Sequence, residues 1–577
     1  MKKLMLGNEA VARGLYEAGV TFASSYPGTP STEITEYFAE YPGVHAEWAP
    51  NEKVACESSF GASLAGARSF SAMKHVGLNV AADLVYSASY TGVNGGFVIA
   101  VADDMGMHSS QNEQDSRNHA KASKLPMLEP SDSAECRDYA VLAYEISEQF
   151  DTPVFLRTST RVAHSQSAVE EHERVEKEKK PYEKNVAKYV MMPAMARPRH
   201  KLVEERTEKL AAYAAESGLN KVIPGGKSIG VIAAGIAYQY AREALGDKAS
   251  YLKLGMVYPL SADQIRAFAA SVDKVYVVEE LDPFIEDFCK ANGVECEGKS
   301  LFSLCGEYTP AMIRKAILGE APEVSAPAAI PVRPPVLCPG CPHRGIFYVL
   351  SKMKLVVSGD IGCYTLGAQA PLAAVDSTID MGESVSGLHG LITADPSLAK
   401  RAVACIGDST FVHSGITGLI NAVYNQSNVT VLILDNSITG MTGHQQNPCT
   451  GLTLQNQPTH ALDLEALCRA IGVKRVNKVD PYDITACEKL LREELAAEEP
   501  SVIIVKRPCA LLKSVKRLPA LAVDPDACRK CRKCMSIGCP AVLFDKEKGA
   551  KIDASLCVGC GLCQKLCAFG AIKGENK

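Results

Sequence analysis

The sequence lacks a long hydrophobic run and a strong excess of charge. It contains no stretch of about eighteen apolar residues, which predicts that the chain does not span a membrane. Its formal net charge of −5 gives no basis for binding nucleic acid. The first apolar residues are interrupted at Gly7, Asn8 and Glu9, a pattern unlike a signal peptide. We therefore expect a cytoplasmic protein.

Cysteine, in contrast, is abundant. The 21 cysteines fit a reducing compartment and metal binding better than disulfides. Thirteen are scattered, and we expect most of those to be small buried apolar residues. The remaining eight lie close to the C-terminus: Cys528, Cys531, Cys534, Cys539, Cys557, Cys560, Cys563 and Cys567.

These eight residues form two C-x2-C-x2-C triplets, each followed by a fourth cysteine, a pattern typical of ferredoxin modules with two [4Fe-4S] clusters. In such modules the trailing cysteine of each run binds the other cluster. The first predicted quartet is Cys528, Cys531, Cys534 and Cys567, and the second is Cys539, Cys557, Cys560 and Cys563. The spacing before Cys539 is one residue longer than usual, and Ala568 replaces a proline. The alternative, a pair of zinc knuckles, is less favoured because zinc sites rarely repeat this triplet.

The pattern along the rest of the chain predicts a multidomain α/β protein. Short apolar runs alternate with helical segments, and several runs end in Gly, Pro or Asp, as in open parallel sheets. The predicted domains are an α/β domain (1–185), a second α/β domain (186–320), a linker (321–335), a third α/β domain (336–518) and a two-cluster ferredoxin-like domain (519–577). We expect residues 169–210, which are highly charged, to be a solvated crossing segment, with a coiled interaction arm as the alternative.

Polar residues follow two predicted strands of the domain at 336–518. Asp408 ends the strand at 401–409, and Asn436 ends the strand at 428–436. Ligands bind at the carboxyl ends of parallel strands, so these side chains and a nearby carbonyl could hold Mg²⁺ through oxygen. The alternative is a turn-forming aspartate and a helix-capping asparagine.

The pair resembles the GDG…N motif of thiamine diphosphate enzymes. In that resemblance Asp408 and Asn436 bind Mg²⁺ through their side chains, and Ile438 binds it through its carbonyl. Gly407 and Ser409 flank the aspartate and belong to the cofactor site, although Ser409 replaces the usual last glycine.

Thiamine chemistry also needs a buried glutamate that hydrogen-bonds the pyrimidine ring. A predicted helix opens at Asn51 and Glu52 and is rich in small residues, which pack closely and leave room for a flat ring. Burial should raise a carboxyl pKa enough for it to share a proton. Glu52 fits by position, and Glu57 is the rival.

With these motifs the whole chain resembles the 2-oxoacid:ferredoxin oxidoreductases, and among them the alpha subunits of indolepyruvate ferredoxin oxidoreductases. SYPGTPSTE (25–33) looks like the family's substrate loop, in which Thr29 would stand near the reacting carbonyl. CPGCPHR (338–344), GDSTFVHSG and LDNSITGMTG follow in the expected order. Pyruvate-specific relatives carry an arginine after the third strand, whereas here none occurs before Arg117, a departure compatible with an aryl substrate.

The resemblance implies a pyrimidine-type thiamine diphosphate domain at 1–185, a transketolase C-terminal-like α/β domain at 186–320 and a diphosphate-type thiamine diphosphate domain at 336–518. It also implies the cofactors, reaction and partners. The cofactors would be thiamine diphosphate, Mg²⁺ and two or three [4Fe-4S] clusters. An aryl 2-oxoacid such as indolepyruvate would be decarboxylated and oxidised to an arylacetyl-coenzyme A, with electrons passing to ferredoxin. A smaller beta subunit would complete a heterodimer or a dimer of heterodimers. Three alternatives stay open: an electron-transfer or scaffold subunit, a non-oxidative decarboxylase, and an oxidoreductase for another 2-oxoacid.

Other residues allow less specific predictions. The resemblance suggests a third cluster held by Cys338, Cys341, Cys363 and Cys509, and the alternative is that Cys338 and Cys341 only shape a turn. Four histidines fall in the domain at 336–518, and packing roles are favoured for them: His343, His389, His413 and His444. The basic run 506–517 could dock ferredoxin, although a solvated linker is favoured.

Overall fold

The computed structural model describes residues 2–320, 331 and 334–574. The predicted linker, 321–335, therefore lies mostly outside the described residues. The chain divides into two units, Met1–Ala328 and Ala329–Lys577. Within the described ranges, we find no helix with the length and apolarity needed to cross a bilayer.

Strands and helices alternate through the first unit. Its strands are β1 (Lys2–Leu6), β2 (Phe22–Ser25), β3 (His45–Trp48), β4 (Ser69–Lys74), β5 (Phe97–Asp103), β6 (Met127–Leu128), β7 (Val154–Ser159), β8 (Gln166–Glu170), β9 (Lys221–Ile223), β10 (Gly230–Ala234), β11 (Ser250–Leu254), β12 (Met256–Tyr258) and β13 (Val275–Val278). Its helices are α1 (Gly7–Glu17), α2 (Thr32–Ala39), α3 (Glu52–Leu64), α4 (His75–Thr91), α5 (Ser116–Ser123), α6 (Ser133–Phe150), α7 (Thr160–His164), α8 (Val186–Tyr189), α9 (Pro193–Glu216), α10 (Gly235–Leu245), α11 (Ala262–Ala269), α12 (Phe284–Ala291) and α13 (Pro310–Leu318).

Two sheets organise this unit. The larger has the strand order β12-β6-β7-β5-β4-β2-β3, and its pairs are parallel except for the antiparallel pair β12–β6. The smaller has the order β13-β10-β11-β9. The carboxyl ends of β2, β4 and β5 therefore lie side by side on the larger sheet, and these ends position the first part of the site.

The charged segment at 169–210 differs in part from its prediction. The stretch 171–185 is irregular and largely exposed, as expected of a solvated crossing. Helix α9, however, begins at Pro193 and buries a stripe of side chains at helical spacing: Val203, Arg206, Leu210 and Ala214. Arg206 donates to the carbonyls of Ser89 and Asp151, so the helix is fixed on the larger sheet's domain. The prediction of a solvated segment is therefore wrong for α9. A narrow stripe of buried side chains is enough to pack one face of a highly charged helix against the protein.

The second unit contains another parallel sheet and the cysteine-rich tail. Its strands are β14 (Val356–Ser358), β15 (Ala402–Gly407), β16 (Thr430–Asp435), β17 (Arg475–Val479), β18 (Ser501–Lys506), β19 (Ala522–Val523), β20 (Val542–Asp545), β21 (Gly549–Ile552) and β22 (Ile572–Lys573). Its helices are α14 (His343–Met353), α15 (Glu383–Ala394), α16 (Asp408–Thr410), α17 (Ile416–Tyr424), α18 (Leu464–Ile471), α19 (Ile484–Leu495) and α20 (Leu562–Lys565). A π-helical turn, Phe411–Gly415, joins α16 to α17.

The five-stranded sheet β14-β15-β16-β18-β17 is parallel throughout and buried on both faces. Alternate residues of β16 enter different cores, with Val431 and Ile433 on one side and Leu432 and Leu434 on the other. The second of these cores also contains Ile537 and other side chains of the tail. The tail is thus packed onto the sheet as part of one hydrophobic core.

The predicted fold class is confirmed. Each apolar run that we interpreted as a strand contains an observed strand. Examples are β15 in the run at 401–409 and β16 in the run at 428–436. The prediction that most of the thirteen scattered cysteines are buried also holds, since seven of them are: Cys56, Cys136, Cys289, Cys341, Cys405, Cys468 and Cys487. The domain boundaries stay predictions, although β12 pairs with the larger sheet from within the segment assigned to the second domain.

Candidate functional site

Two neighbouring strand ends bring the residues of the predicted magnesium motif together. Strands β15 and β16 are parallel partners, with Gly407 opposite Leu434. Asp408 follows the end of β15, and Asn436 follows the end of β16. Both side chains are buried. Asn436 does not cap a helix, because an irregular segment follows it.

Three oxygen atoms face one another at this point. The side-chain oxygen of Asn436 lies 2.7 Å from the carbonyl oxygen of Ile438 and 3.2 Å from Asp408 Oδ1. Such a group of acceptors is repulsive unless a cation lies among them or the amide is turned to present its nitrogen. Carboxylate, amide and carbonyl oxygens are ligands that Mg²⁺ accepts. The donor set therefore fits the predicted cation.

The electrostatics of the same residues favour a positive charge. Burial and the charge of Asp435 together raise the pKa of Asp408 to about 7. Asn447 donates a hydrogen bond to Asp408 Oδ2 at 3.3 Å, and Lys506 pairs with Asp435 at 2.8 Å. Ser409, the residue in place of glycine, accepts a 3.0 Å hydrogen bond from Thr439. That bond ties the two halves of the motif together.

Glu52 and Glu57 lie in very different environments. Glu52 is the first residue of α3 and is buried, 5% exposed, while Asn51 caps the helix by accepting the Val54 N–H at 2.9 Å. Glu57 is exposed and pairs with Lys53. A Cβ atom at Gly77 of α4 would lie 2.5 Å from Glu52 Oε1, so α4 approaches this carboxylate closely. The geometry favours Glu52 as the group held in place beside a ring.

A lysine that the sequence analysis did not single out lies in the same region. Lys74 ends β4, donates to the Ser109 carbonyl at 2.9 Å, and packs its stem against Gly28, next to the half-buried Thr29. Burial lowers the pKa of its amine, while the charges of Asp104 and Glu52 raise it. The only sequence signal was a lysine at the carboxyl end of a predicted strand.

Arg117, the first arginine after the third predicted strand, is fully engaged elsewhere. Its guanidinium is buried and pairs with Asp115 and Glu279, each at 2.6 Å. Those two carboxylates satisfy its charge within the protein. Arg117 is therefore not available to bind a substrate carboxylate.

The tail brings the cysteines together in the two predicted quartets. Burial raises the pKa of the Cys534 thiol. Three neighbouring thiolates raise this pKa further, and they belong to Cys531, Cys528 and Cys567. The same four residues line a small cavity whose other walls include Val523, Phe544 and Ile572. The trailing Cys567 thus lies with the first triplet, as the crossed assignment requires.

The second quartet is more deeply enclosed. Burial, followed by the charges of neighbouring cysteines, raises the pKa of the Cys563 thiol to about 12. These neighbours are Cys560, Cys539 and Cys557 of the second quartet and Cys534 of the first. The backbone N–H groups of Leu521 and Gly559 approach Cys557 Sγ at 3.5 and 3.4 Å. Donors of this kind stabilise negatively charged sulfur, which fits a cluster ligand.

Within the described ranges, no three His, Cys, Asp or Glu side chains converge on one ion. This finding is compatible with cluster binding, because each thiolate of a cubane holds a different iron atom.

The four cysteines proposed for a third cluster also lie near one another. Burial and the charges of Cys509 and Cys338 raise the pKa of Cys363 to about 11. A Cβ atom at Gly440 would lie 3.5 Å from Cys363 Sγ and 3.6 Å from the Asn436 amide nitrogen. The Cys509 N–H also donates to the Asn436 carbonyl at 2.9 Å. This cysteine group therefore adjoins the oxygen triad.

Arg344 connects this group to the tail and was missed by the sequence analysis. Its guanidinium is buried and donates to the carbonyls of Cys338 at 3.0 Å, Ile537 at 3.2 Å and Gly538 at 2.5 Å. In the part of the chain that the structure describes, it forms no ion pair with a carboxylate. Burial lowers the pKa of this guanidinium, and nearby cysteine sulfurs of both groups oppose that effect: Cys539, Cys341, Cys338 and Cys560. Negative charge on these sulfurs would stabilise a buried cation that has no carboxylate partner among the described residues.

The histidines and the basic run have mainly local contacts. His343 is buried edge-on against Tyr364, and burial lowers its pKa to about 4. His413 contacts Ser414, His444 lies 3.7 Å from Cys509 Sγ, and His389 is partly buried. In the basic run, Lys506 and Arg507 form ion pairs within the protein.

Comparison with known families agrees with this arrangement. Residues 13–222 match the model described as pyruvate flavodoxin/ferredoxin oxidoreductase, thiamine diP-binding. Residues 360–505 match the C-terminal TPP-binding domain of thiamine pyrophosphate enzymes, and residues 550–573 match a 4Fe-4S binding domain. The matched segments contain both Glu52 and the oxygen triad.

Curated relatives match nearly the whole chain. The indolepyruvate oxidoreductase subunit IorA of Archaeoglobus fulgidus is 42% identical, over 99% of this chain and 97% of its own. The protein of the same name from Pyrococcus abyssi is 41% identical, over 99% and 96%. A solved structure, 2-oxoglutarate:ferredoxin oxidoreductase from Magnetococcus marinus, aligns at 20% identity with a TM-score of 0.49, covering 55% of this chain and 65% of that chain.

Proposed function

Because this chain belongs to the IorA family of the 2-oxoacid:ferredoxin oxidoreductases, we propose that it oxidatively decarboxylates aryl 2-oxoacids such as indolepyruvate. The products would be an arylacetyl-coenzyme A and CO₂, with electrons passing to ferredoxin. The observation that supports this most directly is the oxygen triad beside cysteine groups within one unit. A diphosphate-binding cation held there would lie next to a path for electrons.

The residues after β15 and β16 would hold the diphosphate end of the cofactor. Asp408 and Asn436 would bind Mg²⁺ through their side chains and Ile438 through its carbonyl, while Gly407 and Ser409 would line the diphosphate. Bound thiamine diphosphate would supply a carbanion nucleophile and an electron sink. The protein's own contribution here is a fixed set of oxygens that needs little rearrangement when the cation arrives.

Glu52 would act on the other end of the cofactor. Its carboxylate would hold a proton at a pyrimidine nitrogen, and its position at the start of α3 fixes its direction. The close approach of α4 at Gly77 limits the rotamers open to this side chain. A buried, immobile carboxylate is well suited to repeated proton transfer at one atom.

Thr29 and Lys74 would orient the substrate. The hydroxyl of Thr29 would approach the reacting carbonyl, and the amine of Lys74 would pair with the carboxylate of the oxoacid. Lys74 is half-buried near two carboxylates and a backbone carbonyl, so an incoming anion would find a cation that is already partly desolvated.

The cysteine quartets would carry electrons away one at a time. Cys528, Cys531, Cys534 and Cys567 would hold cluster 1, and Cys539, Cys557, Cys560 and Cys563 would hold cluster 2. Cys338, Cys341, Cys363 and Cys509 would hold a third cluster beside the magnesium site. Coenzyme A and a smaller beta subunit would complete the reaction in the cytoplasm, in a heterodimer or a dimer of heterodimers.

The experiment that tests this function compares two glutamates of one helix. The E52Q variant should lose oxoacid-dependent reduction of methyl viologen by at least about a hundredfold, because general acid–base groups contribute factors of that order. Iron content should not change. E57Q is the matched control, since it alters an exposed residue on the same helix, and it should retain turnover. Equal rates for E52Q and the unmodified protein would contradict the assignment.

A further inference from the structure

The two ferredoxin-type loops of the tail differ sharply in charge. The loop that would hold cluster 1, residues 528–534, reads CRKCRKC, and we call it the basic loop. The loop that would hold cluster 2, residues 557–563, reads CVGCGLC and has no charged residue. Because both loops have the same cysteine spacing, cluster binding alone does not explain the four cations.

All four cations of the basic loop are exposed: Arg529, Lys530, Arg532 and Lys533. Within the described residues, none of them forms an ion pair with a carboxylate. Arg532 stacks on the ring of Phe544 at 4.6 Å, and Lys533 lies 5.5 Å from the centre of the Tyr348 ring. Aromatic rings hold these side chains without neutralising them. The loop therefore presents a fixed positive surface.

This surface coincides with the exposed side of the first quartet. The four cations line the same cavity as the four cysteines of cluster 1, and Cys531 is itself exposed. Phe569, another residue of the cavity wall, is 51% exposed. A redox centre bound here would be close to solvent, next to an apolar ring and surrounded by positive charge.

The uncharged loop faces the interior of the unit. Leu562 is buried in the core shared with the five-stranded sheet. Tyr482 donates from its hydroxyl to the Gly340 carbonyl at 2.5 Å, and Lys565 donates to the Tyr482 carbonyl at 2.6 Å. These bonds link the second loop to the Cys338–Cys341 turn. Cluster 2 would thus lie on the inner side and cluster 1 on the outer side.

We propose that the basic loop is the docking surface for a small acidic carrier of the ferredoxin type, and that electrons leave the protein from cluster 1. The proposal rests on the proposed function. Each turnover consumes one 2-oxoacid, one coenzyme A and two oxidised carriers. It yields one acyl-coenzyme A, one CO₂, one proton and two reduced carriers, each with one added electron. Complementary charge would mainly speed and orient the encounter.

The test uses the holoenzyme with its partner subunit and an acidic [4Fe-4S] ferredoxin. Binding of oxidised ferredoxin is titrated calorimetrically at low ionic strength, and ferredoxin-dependent kcat/KM is measured separately. R529E/K530E should weaken binding and lower kcat/KM by about tenfold or more, and added salt should reduce the difference. R529Q/K530Q should fall between this variant and the unmodified enzyme.

The matched control is K513E/K516E, which reverses the same charge on exposed lysines of the 506–517 run. It should leave ferredoxin binding unchanged. Iron content and the electron paramagnetic resonance spectra of the reduced clusters show whether R529E/K530E still folds around its clusters. If it does and binds ferredoxin as tightly as the unmodified enzyme, the proposal is wrong. A loss confined to K513E/K516E would also overturn it.

Direct binding separates this proposal from the proposed function. If ferredoxin binds through the basic loop but no 2-oxoacid is turned over, the docking surface stands and the proposed function fails. If methyl viologen is reduced with indolepyruvate but R529E/K530E loses no ferredoxin affinity, the function stands and the docking surface fails. Equal weakening with a carrier that has no acidic surface would show that charge does not select the partner.

Discussion

Lys74 illustrates how a single residue takes its chemistry from its surroundings. Its amine is largely withdrawn from water, with a carbonyl of the 104–110 segment as hydrogen-bond acceptor and the charges of Asp104 and Glu52 nearby. Nearby anions stabilise an ammonium group that is partly withdrawn from water, and the two carboxylates contribute to this stabilisation. An oxoacid carboxylate would add another anion, whereas Arg117 is already neutralised by its own partners.

Replacing Lys74 by methionine should therefore weaken oxoacid binding. Hydrogen bonds to charged groups contribute about 1.5–3 kcal/mol, which corresponds to a rise in the KM for indolepyruvate of roughly ten- to a hundredfold. The KM for ferredoxin should not change, because the site concerns only the oxoacid. Initial-rate measurements with each substrate varied in turn would distinguish the two.

Lys53→Met is the control for that variant, because Lys53 lies at the surface of α3 with a half-exposed side chain that pairs with Glu57. K74R keeps the charge and should recover part of the affinity. An unchanged KM for the oxoacid in K74M would remove Lys74 from substrate binding.

Among individual residues, the sequence predicted those neighbours whose proximity follows directly from strand order. Asp408 and Asn436 could be predicted as neighbours because parallel strands end at a common edge. Lys74 and Arg344 could not, since a lysine after a strand and an arginine after a turn are usually exposed. Their burial depends on distant segments, the 104–110 loop for Lys74 and the 537–538 turn for Arg344. The residues next to Lys74 and Arg344 in the sequence do not predict those contacts.

Among the helices and strands, the close packing of α3 against α4 requires a glycine at residue 77. Glu52 lies at the start of α3, and Gly77 lies in the first turn of α4. A Cβ atom there would lie 2.5 Å from Oε1, 2.7 Å from Cγ and 2.9 Å from Cδ of Glu52. These distances are shorter than van der Waals contact. The two helices can therefore hold the carboxylate in this position only because residue 77 has no side chain.

The G77A variant should fold but lose activity. Overpacking of this kind costs about 1–3 kcal/mol, and the displaced carboxylate would no longer meet the pyrimidine ring, so turnover should fall by about a hundredfold or more. Thermal unfolding and oxoacid-dependent dye reduction measure the two effects. Gly61 provides the control, because a Cβ atom there meets nothing within 4 Å and alanine favours a helix. G77A with full turnover would contradict the placement of Glu52.

Helix α9 shows why some elements were harder to predict. Its composition is that of a solvated segment, and its sequence contains Pro198. Only four inward side chains hold it in place, and one of them is an arginine that satisfies backbone carbonyls. Such a helix owes its position to tertiary contacts more than to a strong hydrophobic pattern. Alternating or continuous apolar strands, in contrast, could be predicted directly.

On the scale of the whole second unit, one hydrophobic core contains side chains of both the five-stranded sheet and the cysteine-rich tail. The face of β16 that carries Leu432 and Leu434 shares its core with Ile537 and Leu562 of the tail. The tail is therefore held at a fixed distance from the oxygen triad, without a flexible tether between them. Composition predicted a tail with its own clusters, but composition could not reveal that the tail lacks an independent core.

The number of clusters is the remaining property that belongs to the whole unit. Arg344 lies between the Cys338–Cys341 turn and the tail, buried and surrounded by cysteine sulfurs from both. A guanidinium in that position would be poorly compensated by neutral thiols, whereas clusters on both sides would supply negative charge. The arrangement of Cys363 and Cys509 beside Asn436 favours the same conclusion.

We therefore expect about twelve iron atoms per chain in the anaerobically purified or reconstituted protein, four for each of three [4Fe-4S] clusters. Replacing Cys363 by serine should lower the count to about eight, because one cluster would lose a ligand beside the magnesium site. Cys468→Ser is the control, since Cys468 is a buried residue of α18 in the core on the other face of the sheet and should leave the count unchanged. Iron analysis together with low-temperature electron paramagnetic resonance measures both. If the unmodified protein contains about eight iron atoms and C363S loses none, the prediction of a third cluster is wrong. Arg344 would then lie between one cluster and a turn that binds no metal.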